Sequence, residues 1–223
     1  MFSSILGKKL DKYHLLNHPF YQVYWNEGKL NREIIKDYAE QYYQHVKAFP
    51  RYISATHSIC ENIEKRRILL ENLQDEENKD GDHPKLWKNF AKALGADENE
   101  IENVKLDWFT KDMIDNFFAQ ARKSYAEGLA SLYTYERQIP EIAETKIQGL
   151  KKFYGVSSKA GLEFFEAHKS ADVIHRAECE KLLDSLSKEE QEKAETASLL
   201  TARYLWNFLS GMTSKHKLQT IAA

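Results

Sequence analysis

Cysteine is scarce in this chain: Cys60 and Cys179 are the two in 223 residues, too few and too far apart for a disulfide framework or a zinc knuckle. Long apolar runs are missing as well. No stretch approaches the roughly 20 residues of a membrane span, so no membrane partner is expected. The opening residues, Met1 to Lys9, have neither the leading charge nor the long apolar centre of a secretory signal, and a cytoplasmic protein is the expectation. Charge of one sign is lacking too. The 32 lysines and arginines face 34 acids, which removes the electrostatic argument for nucleic acid. Four prolines and nine glycines are few, and most stand where a helix would start or stop. What the chain has in quantity is rings, 12 tyrosines and 11 phenylalanines, within a hydrophobic content of 42% that suffices for one sizeable core. So many phenols fit ordinary amphipathic packing, and they also suit a site where a phenol is substrate or redox partner.

Apolar spacing is helical nearly throughout. A first helix is expected over residues 4–16, then a short piece from Phe20 to Trp25 stopped by Gly28. Asn31 can cap a helix with Ile34, Ile35, Tyr38, Tyr42, His45 and Val46 along one side, which Pro50 should kink or break. Further helices follow from Glu64, from Pro84 to Gly95 and from the capping pair Asp97 and Glu100. A long run from Thr110 through Glu136 comes next, then one from Pro140 to Gly155. The last two start at Ser157 or Ser158 and at the capping pair Ser187 and Glu190. No segment alternates as a strand would. The expectation is a single all-α domain over residues 1–223, a bundle of about seven to eight helices whose tail frays from about residue 213.

One short stretch carries most of the chemistry. His168, Asp172 and His175 stand four and three residues apart, which places them on one helical stripe two turns long. Acid and imidazole one turn apart is how helical bundles present metal ligands. Glu136 ends an apolar face, Glu76 extends the Ile68–Leu69–Leu73 side, and His83 follows across the Gly81 turn. Three carboxylates (Glu76, Glu136, Asp172) and three imidazoles (His83, His168, His175) can hold two first-row metals with oxygen and nitrogen ligation. The same residues also read as a solvated Glu76, a Glu136 paired with Arg137 or Lys146, and histidines at polar edges. Cys179, one turn past His175, reads as a nucleophile or as inert core. His14 or His18 could ligate a haem, which would leave the later acid–histidine cluster unexplained.

Four separated motifs, in order, resemble a known family. They are Tyr42-Tyr43-Gln44-His45-Val46-Lys47-Ala48-Phe49-Pro50-Arg51-Tyr52, Asp75-Glu76-Glu77-Asn78, Tyr133-Thr134-Tyr135-Glu136-Arg137-Gln138-Ile139-Pro140 and the His168–His175 stretch. The chain is similar through them to the chlamydial proteins that associate with death domains and to their bacterial relatives, in the PqqC/TenA branch of the haem-oxygenase-like fold. The resemblance implies a helical bundle, usually a homodimer, with a non-haem pair of metals, Fe/Fe or Mn/Fe, held by the six residues above. It implies 4-aminobenzoate formation for folate synthesis, with dioxygen and an external reductant. In such enzymes a tyrosine of the chain gives the ring and a lysine the amine. The lysine carries over to Lys146 and the tyrosine to Tyr21, in His18-Pro19-Phe20-Tyr21. This sequence holds one residue more than the family pattern between Tyr21 and Trp25, so aligning backwards from Trp25 makes Tyr24 a rival. Tyr135, beside Glu136, suits relay of an electron or radical, or is an ordinary buried phenol. By analogy alone the resemblance also offers host death-domain proteins as partners, and it leaves secretion into a host open beside the cytoplasmic expectation.

Overall fold

The computed structural model describes residues 1–79 and 81–218, and for Ser170, Ala171 and Asp172 the backbone alone. No strand occurs among the described residues. Among those residues ten α-helices follow one another: α1 Phe2–Leu10, α2 Arg32–Ser58, α3 Ile63–Glu76, α4 His83–Ala93, α5 Glu98–Asn103, α6 Trp108–Lys123, α7 Tyr125–Glu136, α8 Ile139–Phe153, α9 Lys159–Asp184 and α10 Lys188–Lys215. The expected first helix is shorter than its pattern, ending at Leu10 and giving way to tight turns at Asp11–Tyr13 and Leu15–Asn17.

Two further differences from the sequence reading have clear causes. Helix α2 runs unbroken through Pro50. A proline inside a helix costs about 3 kcal/mol, and here its ring is buried in a stripe that holds Val46, Phe49, Tyr52 and Ile53 on either side. The run expected from Thr110 to Glu136 is instead two helices. Ser124 is extended, with φ −157° and ψ 162°, and its hydroxyl accepts from the Glu127 N–H at 3.2 Å to start α7. Both capping boxes, Asp97 with Glu100 and Ser187 with Glu190, are present.

The long helices pack in pairs, α7 on α10, α8 and α4 on α9, and α2 on α6, so α9 is shared by the two halves of the bundle. Trp87 on α4 donates to the Ala39 carbonyl of α2 at 2.7 Å and sets those two helices against each other. Residues Phe20–Trp25 form a π-helical turn, in which the Asn26 N–H reaches the Tyr21 carbonyl at 3.0 Å. A π turn is an α turn with one residue inserted. The extra residue is therefore absorbed locally, and Trp25 packs where Gly149 of α8 leaves no space for a Cβ.

Candidate metal centre and adjoining cavity

Glu76 ends α3 and His83 begins α4, so the loop between them brings the two together, with Glu76 Oε2 2.8 Å from His83 Nδ1. Asp82 fixes the start of α4 by accepting from the Lys85 N–H at 2.7 Å. From α9, the His168 ring lies 4.1 Å from that of His83, centroid to centroid. Glu76, His83 and His168 are all buried, and their ligand atoms lie within 4.8 Å of one another. Three ligands of one first-row ion, each at about 2.0–2.2 Å, need little more convergence than that. The His168 Nδ1–H donates to the Phe164 carbonyl at 2.7 Å. A carbonyl only accepts, so the proton sits on Nδ1 and the lone pair on Nε2. Burial first, and then the neighbouring His83, hold His168 well below the usual imidazole range, which keeps it neutral.

Glu136 and His175 share the same α3–α9 seam. Asn72, one turn before Glu76, donates to Glu136 Oε1 at 2.6 Å, and the Cys179 thiol approaches Oε2 at 3.4 Å. His175 donates from Nε2 to Asp75 Oδ2 at 3.0 Å, leaving Nδ1 as the ring's acceptor nitrogen. Carboxylate-backed imidazoles of this kind are the usual support for metal ligands. Asp172 lies on α9 between the two histidines, and its side chain is outside the described residues. Arg137 holds Asp11 at 2.7 Å and Lys146 donates to the Tyr38 hydroxyl. His18 accepts from the Phe20 N–H and pairs through Nε2 with Ser210, so both its nitrogens are in use and neither is open to a haem iron. The set of oxygen and nitrogen donors fits first-row metals.

Beside this cluster is a small cavity of about 20 Å³, lined by Tyr21, Tyr38, Tyr42, Tyr135, Lys146 and His168 among others. Lys146 is 4% exposed, neither a surface charge nor a partner of Glu136. Its Nζ donates to the Tyr38 hydroxyl at 2.5 Å and lies 4.7–5.4 Å from the ring centroids of Tyr38, Trp87, Phe165 and Tyr42. Burial lowers its pKa to about 7, so a large part of the population carries a free amine lone pair at neutral pH. Tyr21 is 1% exposed and lines the cavity, whereas Tyr24 does not. Tyr38, Asn72 and Asp75 had no assigned role in the sequence reading. Tyr38 was legible only as a position on the α2 stripe, and Asp75 only as the neighbour of Glu76.

A family model described as iron-containing redox enzyme matches residues 36–206. The chain is 41% identical over 208 residues to a 4-aminobenzoate synthase of Chlamydia pneumoniae, covering 92% of each. It is 40% identical over 213 residues to a 4-aminobenzoate synthase of Nitrosomonas europaea, covering 89% of this chain and 85% of that one. A solved structure from Shewanella denitrificans, a domain of unknown function with a heme oxygenase-like fold, superposes with a TM-score of 0.80 at 14% identity, covering 96% of this chain and 91% of that one. That likeness carries the fold alone.

Proposed function

The chain belongs to the iron-containing redox enzymes of haem-oxygenase-like fold, and on that premise we propose that it is an oxygen-dependent dimetal oxidase that forms 4-aminobenzoate, with the ring from Tyr21 and the amine from Lys146. One observation supports the self-consuming form of the reaction above the others. Tyr21 and a deprotonatable Lys146 line one small cavity of about 20 Å³. A water-sized molecule needs roughly 10–15 Å³, so the space admits something of dioxygen's size and has no room for a benzoate ring beside its walls. That size favours a ring supplied by a lining side chain over one brought in from outside.

The residues divide the work. Glu76, His83, Glu136, His168, Asp172 and His175 would hold two first-row ions, Fe/Fe or Mn/Fe, which when bound supply the electrons that activate dioxygen. Phe164 holds His168 in the ligating tautomer, and Asn72 and Cys179 orient Glu136. Tyr38 anchors the Lys146 amine at the cavity wall, where the surrounding rings exclude water and favour loss of its proton.

Intact mass and metal analysis before and after exposure to oxygen test this reading. The chain is expected to bind about two metals and, with iron, manganese and a reductant, to release less than one 4-aminobenzoate per chain, with a matching mass loss at Tyr21 and Lys146. No product under any metal loading would sink the proposal. Product from Tyr21→Phe would move the ring to Tyr24 or elsewhere. Many turnovers per chain with no mass loss would favour an oxidase of a diffusible substrate.

A further inference from the structure

A surface groove of about 530 Å³ lies behind the cavity wall. It is formed by His18, Pro19 and one face of the end of α10, with Trp206, Ser214 and Lys217 among its lining residues. The partition between the two spaces is thin. On α10, Leu205 and Leu209 line the cavity, while their neighbours Trp206 and Ser210 line the groove. On the facing segment Tyr21 lines the cavity, while His18 and Pro19 line the groove. The Tyr21 N–H donates to the His18 carbonyl at 2.9 Å, so a single turn of chain separates the two spaces there.

The groove carries charge of one sign. One lysine and no acid line it. Asp37 and Asp107, the acids that meet this end of α10, are each held by Lys215 at 2.7 Å, and Asp37 also by His216 at 2.7 Å. Lys217 is exposed and has no carboxylate partner among the described residues. Its φ is 49°, in the left-handed region where a helix usually ends on glycine or asparagine. The Lys217 and Leu218 N–H groups reach the Ser214 and Thr213 carbonyls at 3.0 Å each. Glycine would make the same bonds without the strain, which leaves the ammonium as what this position adds. With those carbonyls occupied, Lys217 and not the helix end sets the sign of the groove. The half-buried Trp206 indole supplies a flat apolar surface, held edge-on by the His18 ring at 4.6 Å and the Tyr13 ring at 6.3 Å. His18 is no base for Ser210: its Nδ1 accepts from the Phe20 N–H, so Nε2 carries the proton and donates to the Ser210 hydroxyl at 3.0 Å. The groove is therefore equipped to bind and not to hydrolyse.

We infer that this groove binds a small aromatic carboxylate, its anion on the Lys217 ammonium and the Ser214 hydroxyl and its ring against Trp206, and that the ligand is 4-aminobenzoate leaving the cavity. The identity of the ligand rests on the oxidase reading above; the site itself does not. A carboxylate formed among apolar walls is driven towards the nearest cation and water. Tyr21 is part of the partition, so using up its ring opens the wall at the place where the groove lies behind it.

Equilibrium dialysis of the metal-loaded full chain against 4-aminobenzoate, without oxygen so that no turnover occurs, tests the groove apart from the reaction. Wild type is expected to show one class of site that fills below about 1 mM. Lys217→Gly removes the backbone strain, so it should melt no earlier than wild type while binding about tenfold more weakly, the scale of a charge-assisted hydrogen bond. Lys217→Arg should keep the affinity within about twofold, and Trp206→Leu should weaken it about fivefold. The neutral 4-aminobenzamide should bind wild type about tenfold more weakly than the acid does and be indifferent to Lys217→Gly. Equal affinity for 4-aminobenzoate in wild type and Lys217→Gly overturns the inference even if Trp206→Leu does not fold, and so does a wild type that binds none. A chain that makes 4-aminobenzoate without binding it loses the groove site and keeps the oxidase. A chain that binds it through Lys217 and never makes it keeps the site and loses the oxidase.

Discussion

The core around Lys146 is walled by Tyr21, Tyr38, Tyr42, Trp87 and Phe165, whereas the core where α1, α7, α9 and α10 meet is filled by Leu6, Leu10, Leu129, Leu182, Leu183 and small alanines. Tyr133 is the one aromatic ring among the described buried residues of that second cluster. Both are buried and both close the same bundle, with α9 passing through each. Aliphatic side chains fill space with no polar atom to satisfy. Rings fill it too, and they also offer π faces to a cation and hydroxyls to an amine. Cation–π contacts offset only part of the cost of burying the ammonium, because burial still lowers the Lys146 pKa to about 7. The difference separates a region built to hold the fold from one that carries reactive groups at a cost in stability.

Lys146→Met should break the comparison most completely. It turns the reactive core into a merely packed one, and 4-aminobenzoate is expected to fall below detection in the product assay. The same substitution exposes what the lysine costs. Unfolded, the amine keeps its proton up to about pH 10.5; folded, it releases it near 7. Between those values the unfolded chain binds more protons, so wild-type stability should rise with pH, the penalty being complete below pH 7. The slope approaches about 1.4 kcal/mol per pH unit above the folded pKa and is half that at pH 7, so the gain from pH 7 to pH 9 is about 2 kcal/mol. Urea unfolding of wild type and Lys146→Met at both pH values measures it. A wild-type stability that tracks the variant's at both would mean the amine is not held in the state described. Leu6→Ala is the opposite probe. It should cost about 2–5 kcal/mol in the same titration, yet leave product per folded chain unchanged.

Asn72→Leu tests the boundary between the two regions. It removes the donor to Glu136 while filling the same volume, so metal affinity is expected to drop about 10–100-fold, read by competition with a chelator. Folding stability should change much less, because the Asn72 carbonyl oxygen has no partner among the described residues to lose. An unchanged metal content under competition would assign Asn72 to packing alone.

The periodicity of the sequence reported the helices well because each buries one face, and 3.6-residue spacing records that face directly. It failed where tertiary packing outweighed local preference, as at Pro50, and where a single residue leaves the helix, as at Ser124. The candidate ligands could be marked in the sequence because Glu76, His83, Glu136 and His168 are charged or titratable residues on apolar faces. Their supports were harder to see. Asn72, Asp75 and Tyr38 act through contacts with residues 64, 100 and 108 positions away, and no local pattern encodes such a pairing. The cavity is less legible still, since its size depends on how the rings of several helices interlock. One inserted residue blurs the alignment around Tyr21 and Tyr24, and the π turn that absorbs it leaves Tyr21 among the residues lining the cavity.

Ser124→Ala gives the smallest expected effect and sharpens the comparison from the side of the fold. Ser124 caps α7, the helix that contributes Leu129 to the aliphatic core and Tyr135 and Glu136 to the reactive one. Loss of a serine cap typically costs about 1 kcal/mol, and the first turn of α7 would fray from the α6 junction. Tyr135 and Glu136 sit three turns away, at the end clamped by Asn72 and Cys179, so a frayed start should not reach them. The expected outcome is a melting temperature lowered by about 2–4 °C with metal affinity and product yield intact. Loss of metal binding in Ser124→Ala would instead show that the two cores are coupled through α7, and the division drawn above would have to be given up.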